Sequence, residues 1–238
     1  MKTKVSILAG LGVSAGLLFL AFRNIDFSKL SGIYSSVNLW YLLPLVVITL
    51  GELALRGLRW KLLLDPARPV RLWDTFRLET AGLALNNVLP MRLGEVMRGA
   101  FGAGLLNIPV VTVLATILVE RALDTIVLVL LAVLAARFGG LTGGILGYGG
   151  YFWALFGGIV ASLLMLVFLD EIITHHLFSG FFRRFPRLTK GLEHLALGVK
   201  AFHSPVKAAA ILALAVFQWI LDALNFYMIA CAFGLGSV

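Results

Sequence analysis

The stretch LWDTFRLETAGLALNNVLPMRLGEVMRGAFGAGLL, residues 72–106, decides how this chain is read. Its first part, Leu72 to Leu85, is only half apolar and carries Asp74, Arg77 and Glu79. Asn86-Asn87-Val88-Leu89-Pro90 then interrupts the helical pattern, because proline has no N–H to donate and its ring clashes with the preceding turn. The second part, Met91 to Leu106, holds Arg92, Glu95 and Arg98 at steps of three. A membrane crossing needs about 20 predominantly apolar residues. Each arm is too short and too polar for that. The pattern predicts a re-entrant helix pair over about 72–106, entering and leaving the bilayer on one side.

The surroundings of this pair are apolar. Of 238 residues, 60% are hydrophobic and 13% charged, with a mean hydropathy of +0.97. A soluble domain of this size has too much exterior for such a composition. The chain is therefore expected to be an all-α, polytopic membrane helix bundle. Spans are predicted over about 5–22, 39–58, 109–138, 151–169 and 206–233. The first reads as an uncleaved helix, since its apolar run exceeds a usual signal-peptide core and no A-x-A site precedes Arg23.

Twenty Lys and Arg against twelve Asp and Glu give a net charge of +8. In a membrane chain this excess marks cytoplasmic loops and anionic headgroups before nucleic acid. With a cytoplasmic N-terminus and a re-entrant pair, the inside receives sixteen basic residues: Lys2, Lys4, six from Arg56 to Arg77, Arg92, Arg98, and six from Arg183 to Lys207. Arg23, Lys29 and Arg137 fall outside, and Arg121 lies within the third span. A single crossing of the pair would move the basic 170–206 loop outside. The positive-inside rule thus supports re-entry, in a multi-pass protein of the cell (cytoplasmic or inner) membrane.

Within that loop, Phe181, Phe185, Leu188, Leu192, Leu195, Val199 and Phe202 recur at alternating spacings of four and three. Pro186 suits a helix start. An amphipathic helix is expected over about 181–203, either lying on the cytoplasmic leaflet or packed on the other spans.

Ionisable residues inside a bilayer are costly and face a bundle interior or an aqueous cavity. Glu52, Arg56 and Arg59 share one helical face at i, i+4 and i+7, as do Gln218, Asp222 and Asn225. Glu120, Arg121 and Asp124 interrupt the third span. Two readings remain open. The charges can pair and pin the re-entrant element, with Glu120, Arg121, Asp124, Glu52 and Asp222 as structural or coupling pairs. Alternatively they line a polar cavity for a headgroup, with Arg92 and Arg98 as phosphate ligands and Glu95, Asn86, Asn87, Arg56 and Arg59 around them; the planar fork of arginine suits two oxygens at once. The Glu120–Arg121–Asp124 triad is expected to satisfy itself. Asn86 and Asn87 are expected either to cap the second arm or to donate to a ligand, capping being the first choice for one of them.

Other signals do not rise. A single cysteine, Cys231, excludes an internal disulfide. Gly139 to Gly150 holds seven glycines without the G-K-[ST] ending of a phosphate loop. The rings of adjacent His175 and His176 diverge, so no metal is expected, nor any cofactor or nucleic acid.

Arg56-x-x-Arg59-Trp60, then Gly82-x-x-x-Asn86-x-x-Leu89-Pro90-x-Arg92-x-Gly94-Glu95-x-x-Arg98, then Glu120-Arg121-x-x-Asp124 resemble the flippase-like family named for the transmembrane region of lysylphosphatidylglycerol synthase. The resemblance covers residues 56–124, and the middle motif is the most specific. It implies a polytopic inner-membrane protein that moves lipids between leaflets, built as an inverted repeat with a second re-entrant hairpin carrying a Pro-Gly-Gly-x-Gly-type motif. That second half is not in this sequence. The expectation is half of an inverted-repeat fold, completed by further chain, by a second half-chain or by a homodimer. The aminoacyl-transferase domain of bifunctional relatives is likewise not in it.

The function read from these features is translocation of an anionic phospholipid or polyprenyl-phosphate-linked lipid, with the bilayer and that lipid as partners. Glu95, Glu120 and Asp124 would orient the arginines or couple protons. The rivals are a membrane enzyme, or its accessory subunit, acting on lipid-linked phosphate or aminoacyl lipid with Glu95 or Glu120 as base, and a structural scaffold.

Overall fold

The computed structural model describes residues 37–138, 149–168 and 186–235 throughout, with scattered positions of the first 36 residues and Glu171. Seven helices make up these segments, and no strand occurs among the described residues. They are α1 (Leu42–Leu64), α2 (Leu72–Val88), α3 (Leu93–Leu106), α4 (Val110–Phe138), α5 (Gly149–Val167), α6 (Pro186–Val199) and α7 (Pro205–Ala232). The expected span over 5–22 is described only at Gly12, Gly16, Phe19, Leu20 and Phe22, each helical. His175, His176 and residues 139–148 lie outside the described residues.

The chain divides into two compact units. The first comprises Met1–Leu45 and Phe226–Val238. Within it the Asn38 N–H donates to the Ala232 carbonyl (3.0 Å), and Tyr34 meets Phe233 edge-on at 6.2 Å. Asn38 also accepts the Trp40 N–H through its side chain (3.1 Å), opening the 3-10 turn Leu39–Tyr41 that leads into α1.

The second unit, Val46–Asn225, holds the core and every charged pair discussed below. Among the described residues, two helical segments are long and apolar enough to cross a membrane, Leu39–Leu64 and Pro205–Ala232. Large side chains such as Leu50, Val206, Phe217 and Ile220 are exposed on them, an arrangement that hydrocarbon tolerates and water does not. The middle of α4 is too charged to pass the same test, yet α4 is the central helix: Val113, Ile117, Val119, Leu123 and Val127 are buried on it. One cluster joins Trp60, Leu64, Leu78, Leu106, Val113 and Ile117; another joins Leu63, Val119, Leu123, Val199 and Ile211.

Residues 72–106 form the expected hairpin. Its interruption is narrower than expected, because α2 runs on through Asn86 and Asn87 to Val88. Proline disfavours the helical conformation at the residue before it, and Leu89 duly turns extended at φ −95°, ψ 140°. After Pro90 come two left-handed residues, Met91 and Arg92, both at φ 55°. This region costs a non-glycine residue roughly 1–3 kcal/mol. Capping by asparagine is overturned: the residue preceding α3 is Arg92, with no side-chain capping bond. Asn86 instead packs in the hairpin, where a Cβ on Gly94 would stand 2.5 Å from its Oδ1 and 2.6 Å from its N. Only glycine lets the arms approach so closely. At the far end Asn107 adopts the left-handed conformation and closes α3, just before Pro109.

α6 starts at Pro186 as expected; residues 181–185 lie outside the description. Of the two readings of this segment, packing on the other helices is the one found. Ala196 and Val199 are buried, and a Cβ on Gly198 would stand 2.6 Å from the Ala115 Cβ of α4.

Gly94→Ala should therefore destabilise the protein by about 2–3 kcal/mol, the cost of overpacking against backbone. Thermal unfolding in detergent should show a lower midpoint than wild type, while Met91→Gly, which relieves a strained and 93% exposed position, should not lower it.

Candidate functional site

Four helices converge on buried charge. Arg59 of α1 is fully enclosed and donates from Nη1 to Asp124 Oδ1 at 2.7 Å and from Nη2 to Glu120 Oε1 at 3.3 Å. Arg98 of α3 donates from Nη2 to the other Glu120 oxygen at 2.6 Å, and its Nη1 pairs with Glu79 of α2. Its guanidinium lies 4.4 Å from the Trp60 ring centroid, a cation–π contact worth about 2 kcal/mol when dry. Trp60 in turn donates from Nε1 to Thr116 Oγ1 at 3.0 Å, and that hydroxyl donates to the Val113 carbonyl. In this cluster each carboxylate faces an arginine, as low-dielectric surroundings demand.

Beside this network lies a cavity of about 370 Å³. Arg56, Arg92, Glu95, Arg121, Asp124 and Asp222 line it, with Thr125, Leu128, Gln218 and Trp219. Three arginines thus face three carboxylates. Arg56 donates to Glu52 at 2.6 Å and lies 3.5 Å from Asp222 Oδ2. In the amide orientation that this network favours, Gln218 accepts from Arg56 Nε at 2.7 Å and Nη2 at 3.2 Å. Arg121 pairs with Asp124 at 3.2 Å and Glu95 at 3.7 Å. Arg92 differs. It is exposed at the strained tip of the hairpin, and among the described residues it has no ion-pair partner.

The structure divides the residues singled out from sequence. Arg92, Glu95, Arg56, Arg121, Asp124 and Asp222 are brought together around the cavity. Arg98 and Arg59 do not reach it as free ligands, since Glu79, Glu120 and Asp124 occupy their terminal nitrogens and both are buried. Asn86 is packed against Gly94 with its Oδ1 unpartnered, and Asn87 is exposed in the last turn of α2. Glu52 backs Arg56. The triad on α4 satisfies itself only in part: Arg121 pairs with Asp124 at 3.2 Å, whereas Glu120 turns to Arg59 and Arg98, and Asp124 also takes Arg59. Adjacent helix positions are about 100° apart, which sends neighbouring residues to different faces.

Glu79 and Trp60 were missed as site residues. The signal was present: Thr75, Leu78, Glu79 and Gly82 are buried at i, i+3, i+4 and i+7, so Glu79 lies on the face that α2 turns to α3.

A helical bundle with two apolar helices long enough to cross a bilayer and charge gathered in its interior defines an integral membrane protein. The lysylphosphatidylglycerol synthase TM region family matches residues 7–236, and the chain belongs to that family. A UPF0104 membrane protein of Methanothermobacter thermautotrophicus is 27% identical over 215 residues, covering 82% of this chain. The chain spans 62% of the length of that relative. No solved structure matches it.

Arg98→Ala should destabilise the fold by roughly 3–5 kcal/mol, because it strands buried Glu79 and leaves Glu120 with Arg59 alone. Arg92→Ala should change stability by less than about 0.5 kcal/mol. Denaturant or thermal unfolding of the two variants in one detergent compares them directly.

Proposed function

We propose that this chain carries an anionic lipid, a phospholipid or a polyprenyl-phosphate-linked lipid, between the leaflets of the cell membrane. The guanidinium of Arg92, which has no ion-pair partner among the described residues and lines a charged cavity, carries this reading. Arginine without a carboxylate partner is a ready ligand for phosphate, and the surrounding balanced pairs offer a polar path without excess charge. The headgroup would cross this cavity while the hydrocarbon chains stay in lipid. The hairpin α2–α3 is read as re-entrant on the cytoplasmic side, with the N-terminus cytoplasmic and the chain multi-pass in the inner membrane. Broken helices around a central site are a recurrent transporter design. The family description, a lipid synthase's transmembrane region, agrees with a lipid ligand.

A scaffolding role is favoured for one part of the structure. The buried Arg59–Glu120–Arg98–Glu79 network braces the helices and meets the cavity at Asp124. It supports the cavity without lining most of it.

Reconstitution into liposomes containing a fluorescent anionic phospholipid tests the proposal. Wild type should accelerate transbilayer movement, and Arg92→Ala should slow it about tenfold, equivalent to some 1.4 kcal/mol of lost stabilisation. Undiminished movement in a folded Arg92→Ala protein would remove Arg92 from the path. Chemical conversion of the lipid, read by mass spectrometry, would favour an enzyme instead.

A further inference from the structure

A second cavity, of about 620 Å³, runs between α4 and α5. Leu118, Ala122 and Thr125 form its α4 wall at i, i+4 and i+7. Ala154, Gly158 and Ser162 form the α5 wall at steps of four. A Cβ on Gly158 would meet nothing within 4 Å, so the helices stand apart here, unlike the tight contact at Gly198. The two hydroxyls do not make the groove polar. Thr125 Oγ1 donates to the Arg121 carbonyl at 2.8 Å and Ser162 Oγ to the Gly158 carbonyl at 2.7 Å, each within its own helix. What remains is an apolar trough.

This groove adjoins the charged cavity: Arg121 and Thr125 line both. Arg121 turns its guanidinium to Glu95 and Asp124, and its aliphatic stem is the part suited to the groove. The length also agrees: from Ala154 to Ser162 the groove wall runs about 12 Å at the helical rise, against about 15 Å for half of the hydrocarbon core. A polar cavity adjoining an apolar trough one leaflet long has the two-part chemistry of a lipid.

We infer that the α4–α5 groove is the hydrocarbon-chain subsite for the same anionic lipid, with Arg121 and Thr125 as the junction between chain and headgroup. The inference rests on the proposed headgroup cavity. It adds where the chain lies, and that selection of the lipid involves its tail as well as its phosphate.

Photolabelling in nanodiscs tests this separately from transport. Two probes carry the same diazirine-bearing acyl chain, one on phosphatidylglycerol and one on neutral diacylglycerol. Peptides containing Leu118–Thr125 and Ala154–Ser162 should be labelled about tenfold more by the anionic probe, and this preference should collapse in Arg92→Ala. Gly158→Phe, which projects into open space, should abolish groove labelling while leaving labelling of the exposed Val206–Phe217 face of α7 unchanged. Equal labelling by both probes, or no preference for the groove over α7, would overturn the inference even if lipid movement is observed. Headgroup-dependent groove labelling without transbilayer movement would retain the subsite and defeat the transport reading.

Discussion

The carboxylate of Glu120 is the point on which the second unit depends. It is fully buried near the middle of α4 and receives Arg59 from α1 on one oxygen and Arg98 from α3 on the other. Arg98 then reaches Glu79 on α2, so one side chain links four helices through two arginines. Such a network need not make a protein more stable than an apolar core of equal volume. Its effect is registry. In a bilayer, where apolar surfaces gain little by choosing one apolar partner over another, buried pairs specify which helix faces which. The hairpin α2–α3 is too short to be positioned by spanning the membrane, and this network positions it.

Around that point the chain sorts its few charges into two populations. One is buried and meets the other at Asp124, which pairs with both Arg59 and Arg121. The other lines a cavity in which Arg56 and Arg121 are held by carboxylates, while Arg92 has no ion-pair partner among the described residues. Arg92, left-handed like its neighbour Met91, belongs to the second population. Its backbone strain is kept beside a polar cavity while Gly94 and Arg98 lock the hairpin.

Much of this was legible in the sequence. The two polar arms and the proline announced the hairpin, the helical spacing placed Glu52 with Arg56, and the density of charge in residues 52–124 pointed to one interior site. Less legible was which arginine does what. Arg92, Glu95 and Arg98 are evenly spaced, but steps of three rotate each residue about 60° from the one before. Glu95 accordingly lines the cavity, and Arg98 enters the core. The left-handed turn at Arg92 could not be anticipated either, since no glycine or asparagine marks it. Glu79 was passed over because its partner is nineteen positions away on another helix, a pairing set by how the arms fold together.

The close contact between Gly94 and Asn86 has a mechanical consequence. Arms that touch backbone to backbone cannot slide past each other, and Arg98 ties the same hairpin to α4. The hairpin and α4 are therefore tied together beside the cavity, which α3 and α4 help to line. α7 joins the charged groups through two residues that meet Arg56: Gln218, at 2.7 Å, and the part-exposed Asp222, at 3.5 Å. A change in the width of the cavity would load those contacts of Arg56 with α7, with the hairpin serving as the anvil.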